Sequence, residues 1–187
     1  MRPLRLRMSA FGPFPGSVEI DFRALGPDGL FLIHGATGAG KTSILDGLSF
    51  ALFGRASGSD RSPDGMRSDL ASDDITTEAI LEFAIGGTVY RARRQPRQSI
   101  KKKRGEGLRE VKPDGSLEKL SGGGLDSDLD NGTWELIESG EKKTDAAINE
   151  LLGMSEDQFR QVVVLPQGQF RKFLSASSDE REKLLEI

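Results

Sequence analysis

One stretch narrows the folds open to this chain more than any other. It is Gly35-Ala36-Thr37-Gly38-Ala39-Gly40-Lys41-Thr42, set between the apolar run Leu30-Phe31-Leu32-Ile33 and a helical pattern over residues 43–53. It satisfies G-x-x-x-x-G-K-[ST], the pattern of a phosphate-cradling P-loop. Glycines let the backbone curl so that successive N–H groups face an anion, where a Cβ would crowd it. Lys41 then reaches the β/γ-phosphates of a nucleotide as a point charge, and the Thr42 hydroxyl takes one coordination position on Mg²⁺. The helix that follows, beginning near Ser43, points its positive end at the same anion. The competing reading is a plain Gly-rich turn. It gives no reason for a buried strand before the motif and an amphipathic helix after it.

The remaining constraints are broad. At 187 residues the chain is one domain or a large lobe of one. Its 26 basic and 29 acidic side chains give a net charge of −3, which excludes a globally basic nucleic-acid coat but leaves room for a local patch. Cysteine is absent, so disulfide frameworks and thiolate metal sites are excluded. The N-terminus alternates charged and apolar residues without a signal-peptide h-region, and no apolar run approaches membrane-spanning length. The expectation is a soluble, cytoplasmic protein.

Along the chain, Leu4, Leu6 and Met8 alternate with Arg5 and Arg7, and Val18, Ile20 and Phe22 alternate with Glu19, Asp21 and Arg23. With turn residues over 12–16, this predicts an opening β-hairpin with one face buried and one solvated. Residues 30–33 do not alternate and predict a strand buried on both faces. In the helix over 42–53, Ile44, Leu45, Leu48, Leu52 and Phe53 form an apolar stripe, and Gly54 suits the C′ position. Residues 55–75 read as a loop with at most one helical turn. A hairpin is predicted around Gly86-Gly87 and a second around Pro113-Asp114-Gly115. Residues 121–132 read as a polar, mobile loop before a strand over 133–137. Thr144 is expected to cap a helix running through Leu152 to Gly153, and Ser155 and Gln158 form a capping box. Residues 162–165 are expected to be a buried strand that delivers Gln167 at its end, where an amide can bind Mg²⁺ and orient a water. A further helix opens near Ser177 and is still running at Ile187.

Three blocks together carry a resemblance: Phe11-Gly12-Pro13-Phe14; the P-loop continuing as Ser43-Ile44-Leu45-Asp46 with Phe50-Ala51-Leu52-Phe53-Gly54; and Val163-Val164-Leu165-Pro166-Gln167-Gly168-Gln169-Phe170. They resemble the N-terminal segment of SbcC proteins, the ATPase subunits of the bacterial SbcCD DNA-repair nuclease, in the SMC-like branch of ABC ATPases. The resemblance spans nearly the whole chain and is weakest over residues 95–135. It implies an α/β fold: the N-terminal lobe of a split ABC-type P-loop NTPase head over 1–176, with antiparallel hairpins and basic and Gly-rich loops near 95–132. Residues 177–187 would begin an ascending coiled-coil helix. Lys41 and Thr42 match the Walker A lysine and metal ligand, and Gln167 matches the Q-loop glutamine. ATP and Mg²⁺ are the implied cofactors. The implied partners are the C-terminal lobe of the same parent protein, a second head in an ATP-dependent dimer, an SbcD-type nuclease and DNA without sequence preference. Walker B, signature and switch-histidine motifs would lie in the C-terminal lobe, in keeping with the absence here of a buried strand ending in Asp-Glu. On this reading the isolated segment has little ATPase activity. The alternatives are a head segment of another SMC-like chromosome or recombination ATPase, or a nucleotide-switched DNA-binding module without its own turnover; a free-standing GTPase is disfavoured by the lack of an Asn-Lys-x-Asp motif and a kinase by the lack of an acceptor site.

Three other features bear on function. Leu120-Ser121-Gly122-Gly123-Gly124 looks like an ABC signature, but the acidic stretch after it would repel phosphate. His34 precedes the P-loop directly and reads as a side chain packed or bonded at a strand end. Arg91, Arg93, Arg94, Arg97, Lys101, Lys102, Lys103 and Arg104 form an acid-free basic run. Of these, Arg97, Lys101, Lys102, Lys103 and Arg104 are candidate DNA phosphate contacts; the competing reading is a solvated loop.

Overall fold

The computed structural model describes residues 1–25, 31–58, 62–102 and 104–160. Alternating residues build a six-stranded antiparallel sheet. Strands β1 (Arg2–Phe11) and β2 (Phe14–Asp21) form the opening hairpin, and β3 (Glu78–Ile85) pairs with the other edge of β1. β4 (Thr88–Gln95) returns from β3 through Gly86 and Gly87, both at positive φ (56° and 85°), the geometry a two-residue hairpin requires. β5 (Gln98–Lys101) and β6 (Leu108–Val111) form a separate two-stranded ribbon. β7 (Asp114–Leu120) and β8 (Trp134–Ser139) complete the sheet in the order β2-β1-β3-β4-β7-β8.

Helices α1 (Lys41–Phe53) and α2 (Glu141–Leu152) cover one face, and the short α3 (Glu156–Phe159) follows. Leu6, Met8, Phe11, Phe50, Leu52, Leu81, Phe83, Ala92, Leu117, Ile148 and Phe159 form the core beneath them. The helix ends behave as their glycines require. Gly54 and Gly153 adopt the left-handed conformation and donate to the carbonyls of Phe50 and Asn149. The Ser155–Gln158 capping box opens α3.

Several expectations are corrected. Residues 31–35 form no strand, and Phe31 and Leu32 are exposed. An apolar run becomes a central strand only where neighbours take its backbone groups, and none does so among the described residues. The expected stripe of α1 holds in part: Leu52 and Phe53 are buried and Ile44 and Leu48 pack half-buried against the core, but Ser43, Asp46, Gly47 and Phe50 are buried as well, so the inward face is broader than the stripe. The cause is close approach: a Cβ on Gly47 would lie 2.4 Å from the Met8 sulfur, so the helix sits low on β1 with small residues beneath it. α2 begins four residues earlier than expected, with Gly140 at the N-cap, and Thr144 is buried inside it rather than capping it. Pro113-Asp114-Gly115 is not a hairpin turn but the passage from the ribbon into β7.

The second face of the sheet is not solvated. Arg5 is 3 % exposed and Glu82 fully buried, and Arg5, Arg7 and Arg91 all donate to the Glu82 carboxylate. A register shift between Pro3 and Arg5 accompanies the transfer of Leu4 to a second cluster with Ala84, Val89, Leu120 and Leu129. Leu129 belongs to the 121–132 stretch, so that loop is tied down. Its carbonyl accepts from Arg91, and Asp130 pairs with Arg5. The hydrogen bonds that Arg5 donates to Glu82 and then to Asp130 raise its pKa above the ordinary value against the cost of burial, and Arg5 in turn holds Asp130 below the usual carboxylate range.

Candidate functional site

The P-loop occupies residues 35–40, and α1 starts at Lys41, the motif lysine. Gly38 and Gly40 sit at φ 84° and 85°, which a residue with a Cβ rarely adopts. Gly40 is doubly constrained, because a Cβ there would also lie 2.5 Å from the Phe14 ring and 3.0 Å from Pro13. No side chain caps α1, and its first turn holds no acid. The positive end of a 13-residue helix therefore faces outward without a capping side chain or an acid of its own first turn to compensate it. The Lys41 ammonium folds over the loop and donates to the carbonyls of Gly35 (2.9 Å) and Ala36 (2.8 Å). Neutral carbonyls are weaker acceptors than phosphate oxygens, so an anion in the loop would win the lysine in exchange.

The loop opens onto a cavity of about 700 Å³ lined by Gly12, Pro13, Thr37, Gly38, Gly40, Lys41, Thr42, Ser43, Gly65, Arg67 and Asp69. Of the expected residues, Thr37, Gly38, Gly40, Lys41, Thr42 and Ser43 are thus gathered on one wall, with Gly35, Ala36 and Ala39 completing the exposed loop beside them. Thr42 is exposed, whereas the Ser43 side chain is buried against Gly12. His34 is exposed rather than packed.

The second wall was not foreseen. Ser62 caps a 3-10 turn over Pro63–Met66, and the chain then bonds to the β1–β2 turn. The Gly12 amide donates to Met66 O and the Ser68 amide to Ala10 O, both at 2.8 Å, with a bridge between Phe11 and Arg67. Ala10 takes a positive φ of 46°, a strained conformation whose carbonyl is held by both Ser68 and the Thr77 hydroxyl. Arg67 is fixed by Ile75 O, Thr77 Oγ1, Gln98 Oε1 and Ser72 O. The sequence allowed at most one helical turn within 55–75, and nothing marked Arg67 or Asp69 in a stretch rich in Ser, Asp, Gly and Arg.

The basic run divides. Arg91 pairs with Glu82 and Glu118 and lies 3.7 Å over the Trp134 ring; Arg93 pairs with Glu78. Arg94 is buried and bonded to Asp145, Leu52 O and Glu141 O. Burial pushes its pKa down and Asp145 opposes this. Those three arginines are structural. Arg97 meets Glu110 at 2.7 Å, while Lys101, Lys102 and Arg104 are exposed at the far end of the β5–β6 ribbon. The stretch over 120–124 enters turns rather than a helix, which agrees with rejecting it as a signature motif. Lys103, Gln167, the strand expected over 162–165 and the helix expected from 177 lie outside the described residues.

Residues 5–187 match the family model described as AAA domain. The chain belongs to this family. This AAA-domain chain is also similar to three relatives that each carry the name of the C subunit of the SbcCD nuclease. It is 48 % identical to that of Vibrio cholerae over 98 % of its length, 37 % to that of Lactococcus lactis over 99 %, and 36 % to that of Staphylococcus aureus over 99 %. It spans about 17 % of the length of these curated relatives. Among the described residues of the AAA-domain chain, no helix is long and apolar enough to cross a membrane.

Proposed function

We propose that this chain is the ATP-binding N-terminal lobe of an SbcC-like ATPase, whose nucleotide cycle governs an SbcD-type nuclease on DNA. The observation that carries the reading is the uncapped N-terminus of α1 behind a glycine-bent loop, with Lys41 poised over a cavity of nucleotide size. The residues fit the implied group. The backbone of residues 35–43 and Lys41 would hold the phosphates, and exposed Thr42 would supply a hydroxyl to Mg²⁺. When bound, Mg²⁺ would neutralise charge developing on the transferred phosphoryl group. Gln167 is assigned the metal- and water-orienting amide.

Among the described residues no group of three or more His, Cys, Asp or Glu side chains could hold a metal. The general base and the opposing signature element are assigned to a C-terminal lobe and a second head on the SbcC resemblance. The exposed Phe31 and Leu32 beside the P-loop support that assignment, since a missing neighbour would bury them. The exposed cations of the ribbon support DNA contact without base readout.

ATP turnover by the full-length protein with its nuclease partner tests the reading. Lys41→Ala is expected to reduce turnover by about 10²-fold or more and to weaken ATP binding; Gln167→Ala is expected to reduce turnover with little loss of binding. Turnover unchanged in both variants overturns the role assignments. Turnover by the 187-residue fragment alone, abolished by Lys41→Ala, overturns the need for the second lobe.

A further inference from the structure

Asp69 stands on the wall of the phosphate cavity, as the one carboxylate among the described residues that line it. It is exposed and makes no hydrogen bond or ion pair among the described residues. A free carboxylate is an unfavourable neighbour for nucleotide phosphates, because like charges in a partly desolvated cleft repel more strongly than in bulk water. Its backbone is nonetheless fixed in that place: Ser68 is buried, its amide is bonded to Ala10 O, and Arg67 just before it is held by four acceptors.

A cation between the two anions resolves the conflict. Mg²⁺ dehydrates reluctantly and keeps several waters when it is held by phosphates and one or two protein oxygens. No cluster of metal-binding side chains exists among the described residues to replace those waters, so the waters themselves need acceptors. We infer that Asp69 is the acceptor that positions the water shell of the nucleotide-bound metal in the cavity it lines with Lys41 and Thr42, an outer-shell role that couples nucleotide affinity to the divalent cation. This rests on the nucleotide reading of the P-loop.

The role predicts opposite signs in two conditions. With ATP and MgCl₂, Asp69→Asn in the full-length protein is expected to weaken binding about tenfold, the scale of losing an outer-shell partner. With ATP and EDTA the same variant is expected to bind about two- to threefold more tightly, because a repulsive charge has gone. Isothermal titration calorimetry reads both values, and thermal unfolding confirms that the exposed substitution leaves the fold intact. An equal change in both conditions, or none, overturns the inference. Lys41→Ala separates this from the parent reading: if wild-type protein binds no ATP, or Lys41→Ala binds as wild type does, the nucleotide assignment itself fails. Loss of binding in Lys41→Ala with no sign reversal in Asp69→Asn defeats the Asp69 role alone.

Discussion

Glu82 shows how a single side chain can decide a whole surface. Fully buried in β3, it accepts from Arg5 Nε (2.9 Å) and Nη2 (3.2 Å), Arg7 Nη2 (2.8 Å) and Arg91 Nε (3.0 Å). One carboxylate thus compensates a guanidinium that is itself only 3 % exposed. Burying ions is costly, and such a group is tolerated because its lone pairs are used. Removing it leaves Arg5 desolvated, with Asp130 and the more distant Glu19 as its remaining anions. Glu82→Ala is therefore expected to destabilise the fold by about 3–5 kcal/mol. Glu82→Gln, which keeps an acceptor but not the charge, should cost less. Urea unfolding of the two variants checks the order, and equal, small losses would show that the arginines find water instead.

At the scale of elements, α1 is held by what it lacks. Gly47 lets the helix settle onto Met8 and Leu6 of β1, and Arg94 from β4 ties its last turn at Leu52 O to Asp145 of α2. Gly47→Val inserts a branched side chain where even a Cβ would contact the Met8 sulfur, and overpacking of this kind costs about 1–3 kcal/mol. Because Lys41 opens the same helix, the displacement should also weaken ATP binding, which calorimetry beside a thermal melt would read. A variant with wild-type melting and affinity would show that Met8 simply moves aside.

This contact also shows what the sequence could and could not disclose. Strand alternation, the Gly86-Gly87 hairpin, the P-loop and the capping signals are local patterns, and they were legible at β1 to β4, α1 and α3. The full buried face of α1 was not, since it depends on glycine at the sheet contact as well as on the apolar stripe. Nor were the structural arginines, because their acceptors lie up to 125 residues away, as with Arg5 and Asp130. In the site, the P-loop was readable as a motif. The wall carrying Arg67 and Asp69 was not, because backbone bonds to the β1–β2 turn create it and the side chains carry no pattern.

At the scale of the whole molecule, charge is sorted by position. The net charge is −3, yet Arg91, Arg93 and Arg94 are paired with Glu82, Glu118, Glu78 and Asp145, whereas Lys101, Lys102 and Arg104 are exposed at the tip of the β5–β6 ribbon, with Glu106 in the same loop. The ribbon pairs separately from the main sheet and is anchored at Gln98 and Ile100, so its exposed tip can meet a duplex without disturbing the core. Each phosphate neutralised releases counterions, so log K falls with log salt by about 0.9 per contact. Replacing Lys101, Lys102 and Arg104 together by alanine is expected to reduce the slope for non-specific duplex DNA by about 2–3, with little effect on thermal stability or ATP binding. Arg97→Ala should change the slope far less, since Glu110 at 2.7 Å already offsets its charge. Filter binding across a salt series reads both variants in the full-length protein. A slope unchanged in the triple variant would return the ribbon to the status of a solvated loop, and a larger effect from Arg97 alone would move the contact to the ribbon's base.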